Sequence, residues 1–194
     1  MCDEGSVDCN AIHCGLEEYM RIVLVGPGRA GMSLAIAAAN AGHEVIAVVG
    51  RTSESAQRGA VMVGAAPLTL DDALPEADLL ILSTRDCAIA SGAGQLAGGS
   101  VPIGAAVHLS GLIKVRALAY LAERGLDIGS FHPLQTLPNP EAGSARLHGA
   151  HIGITAQSPL RERLEDLARS LGSTPFNLDD ADKPVYHAAA AAAA

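Results

Sequence analysis

Residues 21–31 read Arg-Ile-Val-Leu-Val-Gly-Pro-Gly-Arg-Ala-Gly, a short apolar run followed at once by Gly26-x-Gly28-x-x-Gly31. Glycines at this spacing suit the binding of a dinucleotide. Gly26 permits a tight turn, Gly28 lets the backbone approach a pyrophosphate, and Gly31 lets a helix pack close to the strand. Pro27, Arg29 and Ala30 complete the turn. Apolar residues then recur at helical spacing (Leu34, Ala37, Ala38, Ala41), closed by Gly42. The turn therefore opens a helix whose free N–H groups and partial positive charge favour phosphates. The bare triplet is a weak signal; the strand–turn–helix setting makes it strong.

The residue that separates NAD from NADP is expected at the end of the next strand. NAD sites put Asp or Glu there for the ribose 2′-hydroxyl. This chain has Gly50-Arg51-Thr52-Ser53. Arg51 supplies a fixed cationic fork suited to a phosphate, and Thr52 and Ser53 add hydroxyl donors at a helix start. The expected cofactor is NADP, with NAD less favoured. The alternative is a solvated Arg51, with Glu54 taking the ribose.

Other polar groups stand where ligands of open α/β sheets bind, outside the carboxyl ends of strands. Thr84-Arg85-Asp86 follows one strand; a turn with Asp86 capping the next helix is one reading. Ser110-Gly111 follows another. A glycine there exposes its amide to an anion; a plain loop is the alternative. His132 ends a further strand, and Pro133 biases it towards extended geometry. Its imidazole can move a proton to or from a carbonyl or hydroxyl, or serve as a structural histidine bonded to a carbonyl. Gln135 is a neutral candidate for substrate contact. Lys183 and His187 lie one helical turn apart on one face. They suit polarising a substrate carbonyl, against a solvated lysine and a packing histidine. His108 sits inside a strand and reads as packed. His43, His148 and His151 read as surface or strand-edge residues, and Cys87 as a core filler. No Ser-His-Asp order or nucleophile elbow is visible, which disfavours hydrolysis.

These residues need a scaffold of alternating strands and helices. Strands are predicted at 21–25, 43–49, 78–84, 105–109, 127–131, 151–155 and 174–177. Helices are predicted from Gly31, at 53–61, 70–74, 87–96, 115–124 and 160–171. Such alternation fixes the class as α/β, a Rossmann-type doubly wound and mainly parallel sheet with helices on both faces. The acids at 179–182 and Pro184 then start one more helix. It runs into alanines up to residue 194, and reads as the truncated start of a C-terminal helical domain. The expected division is therefore an extension at 1–19, a nucleotide domain at 20–178 and the helical start at 179–194.

Composition narrows the partners. The chain has 194 residues, 49% apolar but only 3% aromatic and without Trp, so its core must be Ala, Val, Leu and Ile. A net charge of −8 argues against nucleic acid or an anionic membrane as partner. No apolar stretch is long enough to span a bilayer and no secretory signal is visible, so the cytoplasm is the expected location. Cys2, Cys9, Cys14 and His13 crowd the N-terminus, but their spacing does not match paired metal knuckles. No metal is expected, and residues 1–19 read as a disordered upstream extension.

Taken in order, Gly26–Gly31, Gly50-Arg51-Thr52, His108-Leu109-Ser110-Gly111, Ser130-Phe131-His132-Pro133-Leu134-Gln135-Thr136 and Lys183-Pro184-Val185-Tyr186-His187 resemble a bacterial family. Its members are Rossmann-like proteins carrying a C-terminal helical domain of unknown function. The family is similar to pyrroline-5-carboxylate reductase, ketopantoate reductase, prephenate dehydrogenase and the 3-hydroxyacid dehydrogenases, and some members are linked to ketopantoate reduction. The resemblance covers nearly all of residues 20–194. It implies an NADP-dependent oxidoreductase that moves a hydride to or from a small carboxylated keto, hydroxy or imino substrate. It implies that Thr84, Arg85 and Asp86 line the nicotinamide ribose, that Ser110 and Gly111 hold the substrate carboxylate, and that His132 lies at the active site. Lys183 would be a general acid, with His187 where similar enzymes carry Asn. It also implies a homodimer formed through the helical domain. A nucleotide-binding regulatory or redox-sensing module without turnover is the reading from a different class.

Overall fold

The computed structural model describes residues 19–193. The cysteine-rich segment, with Cys2, Cys9, His13 and Cys14, lies outside the described residues, and so does nearly all of the extension expected at 1–19. Eight strands form one sheet in the order β3-β2-β1-β4-β5-β6-β7-β8. They are β1 (Arg21–Val25), β2 (Glu44–Gly50), β3 (Ala66–Thr69), β4 (Ala77–Leu82), β5 (Ile103–His108), β6 (Asp127–Leu134), β7 (His151–Thr155) and β8 (Thr174–Asn177). Only β6 and β7 pair antiparallel. The helices are α1 (Arg29–Asn40), α2 (Ser53–Val63), α3 (Asp86–Ala97), α4 (Ala119–Ala122), α5 (Pro140–Leu147), α6 (Leu160–Ser170) and α7 (Lys183–Ala193).

Continuous apolar strands require cover on both faces. Side chains alternate along β1, so Ile22 and Leu24 join one core layer and Val23 and Val25 the other. The first layer lies under α1 and α6, with Leu34, Leu164 and Leu167. The second lies under α3, with Ile89, Ala93 and Leu96. The chain winds outward from β1 to β3, then returns to start β4 on the other side of β1. That reversal opens a crevice at the carboxyl ends of β1 and β4, the place where doubly wound sheets bind ligands.

Several local expectations are corrected. Residues 70–74 form no helix: β3 lies just before them, and a turn follows in which Asp72 accepts from the Thr69 backbone and hydroxyl. The helix expected over 115–124 is a 3-10 turn at Val115–Leu118 followed by the single turn of α4. β6 runs on past residue 131, so His132 lies within a strand rather than at its end. Pro133 is accommodated there against Ile152 of antiparallel β7. α5 was not anticipated; Asn139 caps it, accepting from the Ala142 N–H at 2.8 Å, and Pro140 opens it. Among the described residues, no helix is long and apolar enough to cross a membrane.

Candidate active site

The glycine turn has the geometry its spacing predicts. Gly26 has φ +91°, a left-handed value that favours glycine. A Cβ on Gly31 would stand 2.7 Å from the Gly26 carbonyl and from the Ser83 side chain, so α1 packs tightly on β4's end. A Cβ on Gly28 would meet nothing within 4 Å, which leaves open space in front of the backbone. No side chain caps α1, so the N–H groups of its first turn stay available to an anion. Gly26, Pro27 and Gly28 line a cleft of about 740 Å³ with Arg51, Thr52, Arg58, Thr84 and Arg85. The Thr84 Oγ1 is buried there without a hydrogen-bond partner. A dinucleotide fits: open glycine backbone and helix N–H groups for the pyrophosphate, and an unsatisfied hydroxyl further along.

At the adenosine end, Thr52 caps α2. Its Oγ1 accepts the Ser55 N–H and the Ser55 Oγ accepts the Thr52 N–H, so the Thr52 hydroxyl oxygen is already engaged. Ser53 is exposed beside it. Glu54, the rival for the ribose, is held in an ion pair with Arg58 one turn on. Arg51 is exposed and makes no hydrogen bond or ion pair among the described residues. At the other end, Arg85 is the cap residue of α3, and Asp86 opens the helix without a capping hydrogen bond. Cys87, expected in the core, is exposed at the cleft wall instead.

A second cleft, of about 550 Å³, is lined by His132, Gln135, Thr136, Tyr186 and His187. The His132 Nδ1 lies 2.9 Å from the Leu109 carbonyl. A carbonyl only accepts, so Nδ1 carries the proton and Nε2 is the free acceptor. Burial lowers the His132 pKa most; the Leu109 carbonyl opposes this, His187 and Lys183 lower it further, and Asp86 raises it. The imidazole is therefore neutral at pH 7. Tyr186 stands edge-on to it, with ring centres 5.5 Å apart. Burial raises the Tyr186 pKa to about 12, so the phenol stays protonated. The sequence did not single out Tyr186; its place beside His187 on the first turns of α7 was the available signal.

Ser110 and Gly111 follow β5 in the loop beside His132. The Ser110 Oγ accepts the N–H groups of Leu112 (3.2 Å) and Ile113 (3.0 Å), which closes the loop after β5. A Cβ on Gly111 would stand 2.6 Å from Cδ2 and Nε2 of His132. Gly111 therefore sits directly against the imidazole, while the Ser110 hydroxyl keeps its own proton to donate. Gln135 lines the second cleft, and its Oε1 accepts the Thr136 N–H.

Lys183 is not a solvated lysine. It is 0% exposed. Its Nζ donates to the Ile113 carbonyl and the Ser130 Oγ, both at 2.9 Å, and pairs with Asp180 at 2.9 Å. All three protons are used, so none remains for a substrate. His108 is packed, as expected. Its Nδ1 accepts the Ser110 N–H, its Nε2 has no partner of ordinary geometry, and burial holds its pKa down at about 4. His43, expected at the surface or a strand edge, lies just before β2 and is buried: its Nδ1 accepts the Met20 N–H and its Nε2 lies 2.8 Å from the Ser170 Oγ.

The profile of the Rossmann-like domain family matches residues 12–133, more than half of the chain. The chain belongs to that family. A second profile, Domain of unknown function (DUF2520), matches residues 150–194 of this Rossmann-like protein and so includes α7. Comparison with curated proteins returns no match. The structure is similar to that of a provisionally assigned NADP oxidoreductase from Bacteroides fragilis, at 27% identity and TM-score 0.75, over 91% of this chain and 67% of that one. It is similar in fold to pyrroline-5-carboxylate reductase from Streptococcus pyogenes (18% identity, TM-score 0.67, 88% and 62% covered). It is also similar in fold to prephenate dehydrogenase from Aquifex aeolicus (16%, TM-score 0.66, 84% and 62%). This Rossmann-like chain thus spans about two thirds of the length of the structures it matches.

Proposed function

We propose that this chain is the nucleotide-binding part of an NADP-dependent oxidoreductase that transfers a hydride to or from a small carboxylated keto, hydroxy or imino compound, ketopantoate being one candidate. The observation that carries the reading is the combination of an open glycine cleft, with Arg51 unpaired at one end, and a neutral His132 whose Nε2 is free. The neighbouring fold named as an NADP oxidoreductase supports the choice of chemistry.

The nicotinamide, when bound, supplies or accepts the hydride. The chain's own residues hold and protonate. The first turn of α1 binds the pyrophosphate through backbone N–H groups, and Gly28 lets it come close. Arg51 grips the 2′-phosphate. Thr84 offers its hydroxyl towards the ribose. His132 Nε2 takes the proton from a substrate hydroxyl as the alcohol is oxidised, and returns it in the reverse direction. Leu109 fixes the tautomer that makes this possible. Gln135 and His187 meet the substrate's polar groups. On the family resemblance, the enzyme works as a cytoplasmic homodimer paired through the helical domain.

The test mixes full-length protein with NADPH and a panel of 2-keto acids including ketopantoate, and with NADP and the matching hydroxy acids, following nicotinamide absorbance. Turnover that falls about 10²- to 10⁴-fold in His132→Ala supports the reading. Tight NADPH binding without turnover on any substrate contradicts it and favours a nucleotide sensor.

A further inference from the structure

A charge buried as completely as Lys183 demands a reason. Taking an ammonium out of water is costly, and an apolar side chain of similar volume serves as well for stability alone. Its three bonds do not run to one element. Ser130 lies on β6, two residues before His132; Ile113 lies in the loop that starts at Ser110-Gly111; Asp180 lies just before α7. Asp180 in turn accepts the Val115 N–H with both oxygens, at 3.1 Å each. The ammonium thus joins the strand that carries His132, the loop that seats its ring, and the helix that carries Tyr186 and His187.

We propose that Lys183 is a positioning residue for His132: its three-point contact to Ser130, Ile113 and Asp180 fixes α7 over the loop and strand so that Tyr186 stands edge-on to the His132 ring. The inference rests on the reading of His132 as the proton acceptor, and deepens it. Tyr186 and Lys183 are three residues apart, so they leave α7 on neighbouring positions of one face. Lys183 reaches inward to the sheet, and Tyr186 covers the imidazole. The Tyr186 ring also lies 5.9 Å from that of Phe176 on β8, so it is wedged between two strands' side chains. If the Lys183 anchor is lost, α7 loses its register on the sheet, and Tyr186 loses its place over His132.

The same cation acts on His132 through space. The charged and titratable groups around that ring are Lys183 and His187 on α7, Asp86 at the start of α3, and His108 on β5. Lys183 and His187 disfavour the imidazolium, and Asp86 favours it. Removing the ammonium therefore moves the His132 titration to higher pH, and the loss of the Tyr186 cover adds to the same movement, because burial is the first cause of the lowered value.

The test uses the 194-residue chain with isotope-labelled histidine and records two signals: the pH titration of the His132 ring and the cross-relaxation peak between the His132 and Tyr186 rings. In Lys183→Met, His132 titrates at higher pH than in wild type and the ring–ring peak is lost. NADPH affinity, measured on the same samples, changes less than twofold. Ser130→Ala, which keeps the ammonium and Asp180 but removes the tie to β6, weakens the peak; it carries the test if Lys183→Met does not fold. An unchanged titration with the peak intact, in Lys183→Met or in a folded Ser130→Ala, overturns the proposal. Neither signal needs a substrate. A protein that shows both changes yet transfers no hydride refutes the functional reading and leaves the positioning role standing.

Discussion

Gly111 is held to glycine by the ring it supports. A Cβ there would overlap Cδ2 and Nε2 of His132 at 2.6 Å, and neither the strand nor the Leu109 carbonyl lets the ring retreat. Gly111→Ala is expected to lose about 1–3 kcal/mol of stability by overpacking. It should lower kcat far more than it weakens NADPH binding; urea unfolding and steady-state kinetics check both. His108 has a different signature. Its folded pKa of about 4 lies below the ordinary 6.5, through burial first and the Lys183 charge second. Above about pH 6.5 the residue is neutral folded and unfolded, and stability is full. As the pH falls towards 4, the unfolded chain binds a proton that the folded one refuses. The expected loss is on the order of 3 kcal/mol. His108→Gln should flatten this acid-side slope, read as urea midpoints between pH 7 and pH 4.5.

Among elements, α1 and α5 pack closely through Gly143 and Ser33. A Cβ on Gly143 would press on the Ser33 hydroxyl and stand 2.9 Å from the Ser33 Cβ. That hydroxyl donates to the Arg29 carbonyl at 2.7 Å, near the turn that faces the cofactor. Gly143→Ala gains about 1 kcal/mol of helix propensity, against about 1–3 kcal/mol of overpacking. We expect net destabilisation, measured by thermal melting. α5 was invisible in the sequence because Pro-Glu-Ala-Gly-Ser carries no apolar stripe; the helix exists through its Asn139 cap and this contact. β3 was missed for a related reason. Ala66-Pro67-Leu68-Thr69 is a four-residue edge strand whose proline lacks the N–H of a ladder donor, which argues against a strand in the sequence. The buried strands and the glycine turn were legible because they are continuous apolar runs with unambiguous punctuation. Lys183 and Tyr186 were not, since nothing in a local pattern says that a lysine's three protons will be met by a strand, a loop and a carboxylate from elsewhere in the chain.

At the scale of the whole molecule, one sheet places two clefts on the carboxyl side of its strands. The first is lined from the ends of β1, β2 and β4, the second from β6 and α7. Asp86, at the head of α3, belongs to the cofactor side and still acts on His132, so the two clefts are electrically in reach of each other. A ligand that binds the folded chain alone stabilises it by about 2.7 kcal/mol at a hundredfold excess over its Kd. For a chain of this size NADPH should raise Tm by about 5–10 °C. The central claim is that the glycine cleft takes NADP through Arg51, and calorimetric titration of wild type and Arg51→Ala with NADPH and NADH tests it most directly. Wild type should prefer NADPH by about tenfold to a hundredfold, as one charge-assisted contact allows, and Arg51→Ala should abolish the preference while NADH affinity holds. Equal affinity for the two cofactors in wild type would contradict it.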